Sequence, residues 1–359
     1  MRGGSVIINE NRITTHKIGV IALEHVGIAG IGIYLPERIM PAKEIAKLSN
    51  IPENVIIEKF GIKQKYLPGP KDTTSYMAIE ASKAAINDAG ISPKEIDLLI
   101  WGGGQHKDYP CWLAGLKVAH EIGADRAWSF DMEAMCGSMM VAIDIAKSIM
   151  LVRDDVNTVL IASGYRNVDL INPAEPSTSF MLDIGAGGAA VVLKKNLGRN
   201  IVLSSSFKGD GSFSEDCVVP VGGTKNWPMK EGDVKDFYFR ITGDPAEFKK
   251  RLSEKTTPNF FRVIRESVEK SGYTEKDIDY LAILHFKRSA HFGVLQELGL
   301  KPEQSTYLEE YGHIGQNDQL LSIKLGLKSG KIKDGSLIVM VGAGLGFVWA
   351  ATTVRWGKI

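Results

Sequence analysis

The 359-residue chain predicts an α/β fold assembled from two related halves. Three observations lead there. Short apolar runs of strand length alternate with longer amphipathic runs of helix length along the chain. The strand runs are continuously apolar, as in parallel sheet buried between helix layers. One pattern occurs twice: "AINDAGISPKEIDLLIWGG" (85–103) and "SVEKSGYTEKDIDYLAILH" (267–285) both read helix, glycine, Ser/Thr-x-Lys-Glu/Asp-Ile-Asp, apolar strand. Such a long period marks a duplication, not a solenoid. Residues 1–24 read as an N-terminal extension, 25–195 as one half and 196–359 as the other.

The elements follow in order. "HVGIAGIGIYLP" (25–36) predicts a strand closed by a turn proline. "PAKEIAKLS" and "IPENVIIEKFGI" predict short helical pieces. "TTSYMAIEASKAAINDAG" (73–90) predicts a long amphipathic helix, with Thr73 or Thr74 as N-cap and Gly90 as its stop. "IDLLIWGGG" (96–104) is a buried strand entering a glycine loop, followed by a helix over "CWLAGLKVAHEIG". "AWSFDME" is a strand, and "EAMCGSMMVAIDIAKSIM" (133–150) a helix. "NTVLIASG" (157–164) and "GGAAVVLKK" (187–195) complete the first half as strands.

The second half repeats this order. "NIVLSSSF" (200–207) is a strand, and 245–272 is helical with a break near Pro258. "IDYLAILH" (278–285) is a strand, "SAHFGVLQELG" and "DQLLSIKLGLKSG" are helices, and "GSLIVMVGAGLGF" and "VWAATTVRW" are closing strands.

Composition excludes several classes. A net charge of +1 leaves no field to attract nucleic acid or an anionic membrane. No apolar run reaches membrane-spanning length, and the N-terminal "MRGGSVIINENRITTHKIGV" lacks a signal-peptide core. Three cysteines without a CxxC pair argue against disulfides and structural zinc, and point to a reducing cytoplasm. "VGAGLGF" (341–347) precedes a strand, whereas a dinucleotide fingerprint requires a helix, so no nucleotide cofactor is expected. No metal is expected either.

Cys136 stands out among the candidates. It lies where a strand gives way to a helix, facing free backbone N–H groups and the positive end of a helix dipole. Both favour a thiolate. Position alone serves two readings, a nucleophile and a buried small hydrophobe. His285 ends an apolar strand, at the rim where α/β sheets bind ligands. His313, in "EEYGHIGQND", sits in a glycine-flanked turn before a helix. Each histidine alone is equally at home in a structural role.

In this order the pieces resemble the ketoacyl-acyl-carrier-protein synthase III branch of the thiolase superfamily, from "GIAGIGIYLP" nearly to the C-terminus. "FGIKQKYL" resembles the family's Thr-Gly-Ile-Arg-x-Arg segment, and "FDMEAMCGSM" its nucleophile segment. "DIGAGGAAVVL", "GDGSFSEDCVVP" and "GAGLGFVWAATTVRW" are similar to its central glycine strand, Asp-Gly-Ser loop and closing strand. The resemblance implies a thiolase-like duplicated fold, layered αβαβα with two mixed five-stranded sheets. It implies Cys136 as nucleophile and His285 and His313 as catalytic histidines. The oxyanion hole would be the backbone N–H groups of Cys136 and Leu345. Tyr109 and Trp112 take the place of the dimer loop that enters an acyl pocket, and Lys287 and Arg288 a carrier or coenzyme A contact.

The chain departs from the family where "HFKR" replaces His-Gln-Ala-Asn, His313 replaces asparagine, Leu345 replaces a glycine, and Val55 replaces the adenine-stacking tryptophan. The implied activity is acyl transfer to Cys136, then decarboxylative Claisen condensation with a malonyl-type thioester to a 3-oxoacyl product. Two neutral imidazoles would donate hydrogen bonds to the developing enolate. Implied partners are acyl-CoA or acyl-carrier-protein thioesters, and a second copy in a homodimer or a larger thiolase-type complex. The alternatives are a non-decarboxylating acyltransferase or condensing enzyme, and an accessory subunit of such a complex.

Overall fold

The computed structural model describes residues 24–104 and 106–358. Nearly all of the expected N-terminal extension therefore lies outside the described residues. Nine strands form one sheet: β1 (Val26–Tyr34), β2 (Leu98–Gly102), β3 (Trp128–Met132), β4 (Thr158–Tyr165), β5 (Gly187–Lys195), β6 (Arg199–Gly209), β7 (Tyr280–Ile283), β8 (Leu337–Gly344) and β9 (Val348–Lys358). Their order is β7-β8-β9-β6-β1-β5-β4-β2-β3. Outward from the centre, β1-β5-β4-β2 and β6-β9-β8-β7 follow the same rule. The first two pairings are antiparallel and the third is parallel. The two runs join through a single β1–β6 register pair, Gly27 with Ile201. The expected two five-stranded sheets are thus one continuous sheet, because β1 and β6 pair at the centre.

The repeated sequence does the same physical work twice. Helix α1 (Thr74–Ala89) precedes β2. After α2 (Ala114–Ile122) and α3 (Ser138–Val152), helix α4 (Pro245–Lys270) precedes β7. Between helix and strand, Ser92 with Glu95 and Thr274 with Asp277 each form a capping box. The matching Asp of each copy then ties its strand to a neighbour. Asp97 accepts the Thr158 N–H (3.0 Å) at the start of β4, and Asp279 accepts the Leu337 N–H (2.8 Å) at the start of β8.

Helices α5 (Arg288–Glu297) and α6 (Asp318–Lys328) complete the layers. Helices α1 and α2 cover one outer face of the first half, packing on Leu99, Trp101 and Leu160. Helices α4 and α5 cover the corresponding face of the second, on Leu281, Ile283 and Val339. Helices α3 and α6 share the central core with strands of both halves, among them Ile28, Val191, Tyr280 and Val354. This is the αβαβα layering. Helix α1 lies directly on bare backbone: a Cβ at Gly32 would stand 1.9 Å from the Ala81 carbonyl oxygen, and one at Gly164 would stand 1.9 Å from that of Thr74.

Several expectations are corrected. Helix α4 runs unbroken through Pro258, with its flanks anchored on both sides: Phe248 packs on Phe213 and Phe347, and Phe260, Phe261 and Ile264 join the core beneath β7 and β8. Helix α2 starts at Ala114, after a turn in which Cys111 adopts a positive φ. Arg38–Pro41 pairs with Gln64–Leu67 as a separate two-stranded sheet that periodicity did not suggest. Met135–Val152 is long and apolar enough to cross a membrane, contrary to the sequence expectation. Here it is core: Met139, Met140, Ala142, Ile143, Ala146 and Met150 are all fully buried.

Candidate active site

Cys136 lies in a one-turn helix, Met135–Gly137, that runs straight into α3. The Ser138 hydroxyl braces this turn, accepting the Ala134 N–H (2.8 Å) and donating to the Met135 carbonyl (2.7 Å). Met135 holds φ at 49°, a left-handed conformation that costs energy in a non-glycine residue. The end of β8 presses on the same turn: a Cβ at Gly344 would stand 2.8 Å from the Cys136 nitrogen and 2.6 Å from the Met135 Cβ. A Cβ at Gly137, by contrast, would meet nothing nearer than 3.4 Å. Cys136 is half-buried, and all three cysteines are free. Burial pushes the Cys217 thiol up to about 12, which leaves it inert at neutral pH.

His313 brings its Nε2 to 3.3 Å from the Cys136 Sγ. Its Nδ1 lies 2.6 Å from the Asp318 Oδ2. Thiol, imidazole and carboxylate therefore stand in line. Burial by itself disfavours the charged ring, but the Asp318 and Cys136 charges outweigh it and raise the imidazole well above its ordinary value. That direction favours the charged ring for His313 before substrate binds. Gly312, at φ 72°, makes the turn possible, because a Cβ there would stand 2.6 Å from the Asp183 carbonyl.

His285 is deeply buried, with its Nδ1 2.9 Å from the Asp183 Oδ2 and its Nε2 3.2 Å from the Gly61 carbonyl. Both ring nitrogens thus face acceptors. The ring stacks on Tyr307 at 5.2 Å. Two carboxylates interlock the histidines. Asp183 holds the His285 ring by its side chain and accepts the His313 N–H (2.8 Å) on its backbone. Asp318 holds the His313 ring and accepts the His285 N–H (2.7 Å). Its other oxygen accepts the Ile314 N–H (2.8 Å).

Lys65 buttresses this lattice. Its ammonium is buried and donates to the Leu182 and Ile184 carbonyls, each at 2.9 Å, on either side of Asp183. Burial lowers it to about 8 despite the Asp183 charge. Lys65 also lines a cavity of about 220 Å³ with Met40, Ile45, Val168 and Ile171. Tyr165, the last residue of β4, packs its ring 6.0 Å from that of His313. Asp183, Asp318, Lys65 and Tyr165 were not singled out from sequence. The available signals were an aspartate opening the "DIGAGG" run and another five residues after His313.

The remaining candidates lie as follows. Leu345 follows Gly344 and packs against the buried cluster that includes Tyr165 and Ile184. Tyr109 is exposed, at 65%, and meets Trp112 edge to face at 5.6 Å. Arg288 is paired with Glu309 and lies over the Tyr307 ring, and Lys287 lies over Phe60. Arg288 is therefore engaged within the fold rather than held out as a free cation. The glycine loop at 341–347 joins two antiparallel strands, so strand follows it, as the sequence predicts. Among the described residues no cluster of His, Cys, Asp and Glu is disposed to hold a metal.

Residues 130–211 match the family model for 3-oxoacyl-[acyl-carrier-protein] synthase III, and residues 268–356 match that for its C-terminal part. The beta-ketoacyl-[acyl-carrier-protein] synthase III of Staphylococcus aureus (strain Newman) is 30% identical over 339 residues, 93% of this chain and 100% of the relative. That of Symbiobacterium thermophilum is 27% identical over 336 residues, 93% of this chain and 98% of the relative. The crystal structure of 3-oxoacyl-[acyl-carrier-protein] synthase III from Aquifex aeolicus superposes with a TM-score of 0.80 at 23% identity, covering 92% of this chain and 100% of that one. In fold and over 93% of its sequence, the chain belongs to the 3-oxoacyl-[acyl-carrier-protein] synthase III family.

Proposed function

We propose that the chain is an acyl-thioester condensing enzyme that loads an acyl group on Cys136 and joins it to a malonyl-type thioester, giving a 3-oxoacyl product. One observation carries this reading: the Cys136 Sγ lies 3.3 Å from an imidazole that Asp318 orients and keeps basic. The thiolate attacks the acyl carbonyl, and the backbone N–H groups of Cys136 and Leu345 receive the oxyanion, at about 3–4 kcal/mol per donor in comparable sites. The new C–S bond forms, the old one breaks, and the departing thiolate takes the His313 proton. Solvent returns that proton before condensation. The charged His313 then donates to the thioester oxygen as carbon dioxide leaves the malonyl group. His285 supplies the second donor, exchanging the Gly61 carbonyl for substrate. The carbanion forms a C–C bond to the acyl carbon, the C–S bond breaks, and Cys136 departs as thiolate beside the charged His313.

The same reading gives Tyr109 and Trp112 a place beside an acyl pocket in a homodimer, or in a larger thiolase-type complex. The exposed Tyr109 ring supports it. Acyl donors are coenzyme A or carrier-protein thioesters, with Lys287 over the Phe60 ring and the Glu309-paired Arg288 as their contacts. The setting is the cytoplasm, consistent with free cysteines. The test is intact-protein mass after incubation with acyl thioesters, followed by carbon dioxide release from a malonyl thioester. Wild type gains one acyl mass and releases carbon dioxide. Acylation of Cys136→Ala at the wild-type rate overturns the reading.

A further inference from the structure

The Asp318 carboxylate decides which nitrogen of His313 carries the proton. An ionised carboxylate accepts only, so Nδ1 must be the donor in that 2.6 Å contact. When the ring is neutral, its Nε2 therefore holds a bare lone pair, aimed at the Cys136 Sγ. A neutral ring serving only to donate from Nε2 would need a donor facing Nδ1, and Asp318 is not one. Asp318 also keeps its hold on Nδ1, because it is fully buried and its other oxygen already accepts the Ile314 N–H. Each time His313 surrenders its proton to a departing thiol, an acyl-cysteine is left beside an oriented base. His285 cannot supply that base while Asp183 and Gly61 occupy both its nitrogens. Thiol, imidazole and carboxylate in this order are the parts of a heteroatom acyl-transfer site.

We propose a second activity: with no malonyl thioester bound, acyl-Cys136 is transferred to a hydroxyl or amine acceptor, with His313 as general base. It rests on the acyl loading of Cys136 argued above. The acceptor oxygen or nitrogen forms a bond to the acyl carbon as its proton passes to the His313 Nε2. The tetrahedral oxyanion collapses, the C–S bond breaks, and Cys136 departs as thiolate beside the imidazolium. The products are an ester or an amide and the resting enzyme, with no carbon dioxide released. Water gives the free acid by the same route.

The test is a single turnover. Cys136 is acylated, excess donor is removed, and 1-propanol, ethanolamine or buffer alone is added. Acyl loss and product are followed by mass spectrometry, against the same acyl-enzyme unfolded in urea. Loss should exceed the unfolded control by roughly 10²–10⁴-fold, the usual worth of a positioned base. It should climb with pH as His313 becomes neutral, then level off. His313→Gln, loaded by long incubation, should fall to the unfolded rate per acylated molecule. Loss no faster than the unfolded control at every pH overturns the proposal, as does wild-type loss from acylated His313→Gln. Carbon dioxide release, assayed separately, reports on condensation: ester formation without it supports the second activity and overturns the condensation reading. Failure to acylate Cys136 with any thioester overturns both.

Discussion

Three donors converge on the Asp318 carboxylate: the His313 ring, the His285 N–H and the Ile314 N–H. Asparagine there keeps the size but presents an amide, which no longer requires the proton on Nδ1. Asp318→Asn should slow acyl loading about 10²–10⁴-fold with little change in fold, by analogy with other oriented imidazoles. Loading rates by stopped mass analysis, with circular dichroism as the control, check this. The raised value of His313 also has a stability sign. Its folded value lies above its unfolded one, so charging stabilises the fold fully below about pH 6.5 and is lost as pH rises through the folded value. Urea unfolding of wild type against His313→Gln should show a stability gap that narrows with rising pH. A gap that widens would contradict the assignment. Lys65 is the structural counterpart. Lys65→Met leaves the Leu182 and Ile184 carbonyls without their donor and Asp183 without its nearby cation. About 2–5 kcal/mol of stability should be lost.

At the scale of elements, the first half depends on how closely α1 lies on the sheet. A Cβ at Gly32 would meet helix backbone at 1.9 Å, and backbone cannot step aside as a side-chain tip can. Gly32→Ala should cost roughly 3 kcal/mol through displacement of α1, read as a lower urea midpoint with an unchanged slope. The repeated Ser/Thr-x-Lys-Glu/Asp pattern was legible in sequence, and the structure shows it to be a capping box at Ser92 and at Thr274, each closed within four residues. The unbroken course of α4 through Pro258 was not, because packing of its flanks against the sheet overrides a local break.

At the scale of the whole molecule, the strands of residues 25–195 and 196–359 repeat one topology about the β1–β6 seam. We propose two related halves that fold as one unit. One register pair at the seam is slight. The shared core is not: Met140 and Ile143 of α3 cluster with Leu320 and Ile323 of α6 and with strands from both sides. Calorimetry should give one transition whose van't Hoff and calorimetric enthalpies agree. Two resolved transitions would show the halves melting separately. The site has the same dependence, since Cys136 and Asp183 come from one half and His285, His313 and Asp318 from the other.

The doubled α/β order, most helix ends and the position of Cys136 at a helix start were readable from residues alone. They depend on periodicity, caps and turns, which act over a few residues. The tertiary structure decided that the two sheets are one, that His313 rather than His285 faces the thiol, and that Asp318 chooses its tautomer. Cys136 and His313 are 177 positions apart, and His285 and Asp183 are 102 apart. A sequence pattern tells which face of an element is buried, not which face of another it will meet. The charge state of a histidine depends on that meeting, because it is set by the burial and the carboxylate that the fold brings to it.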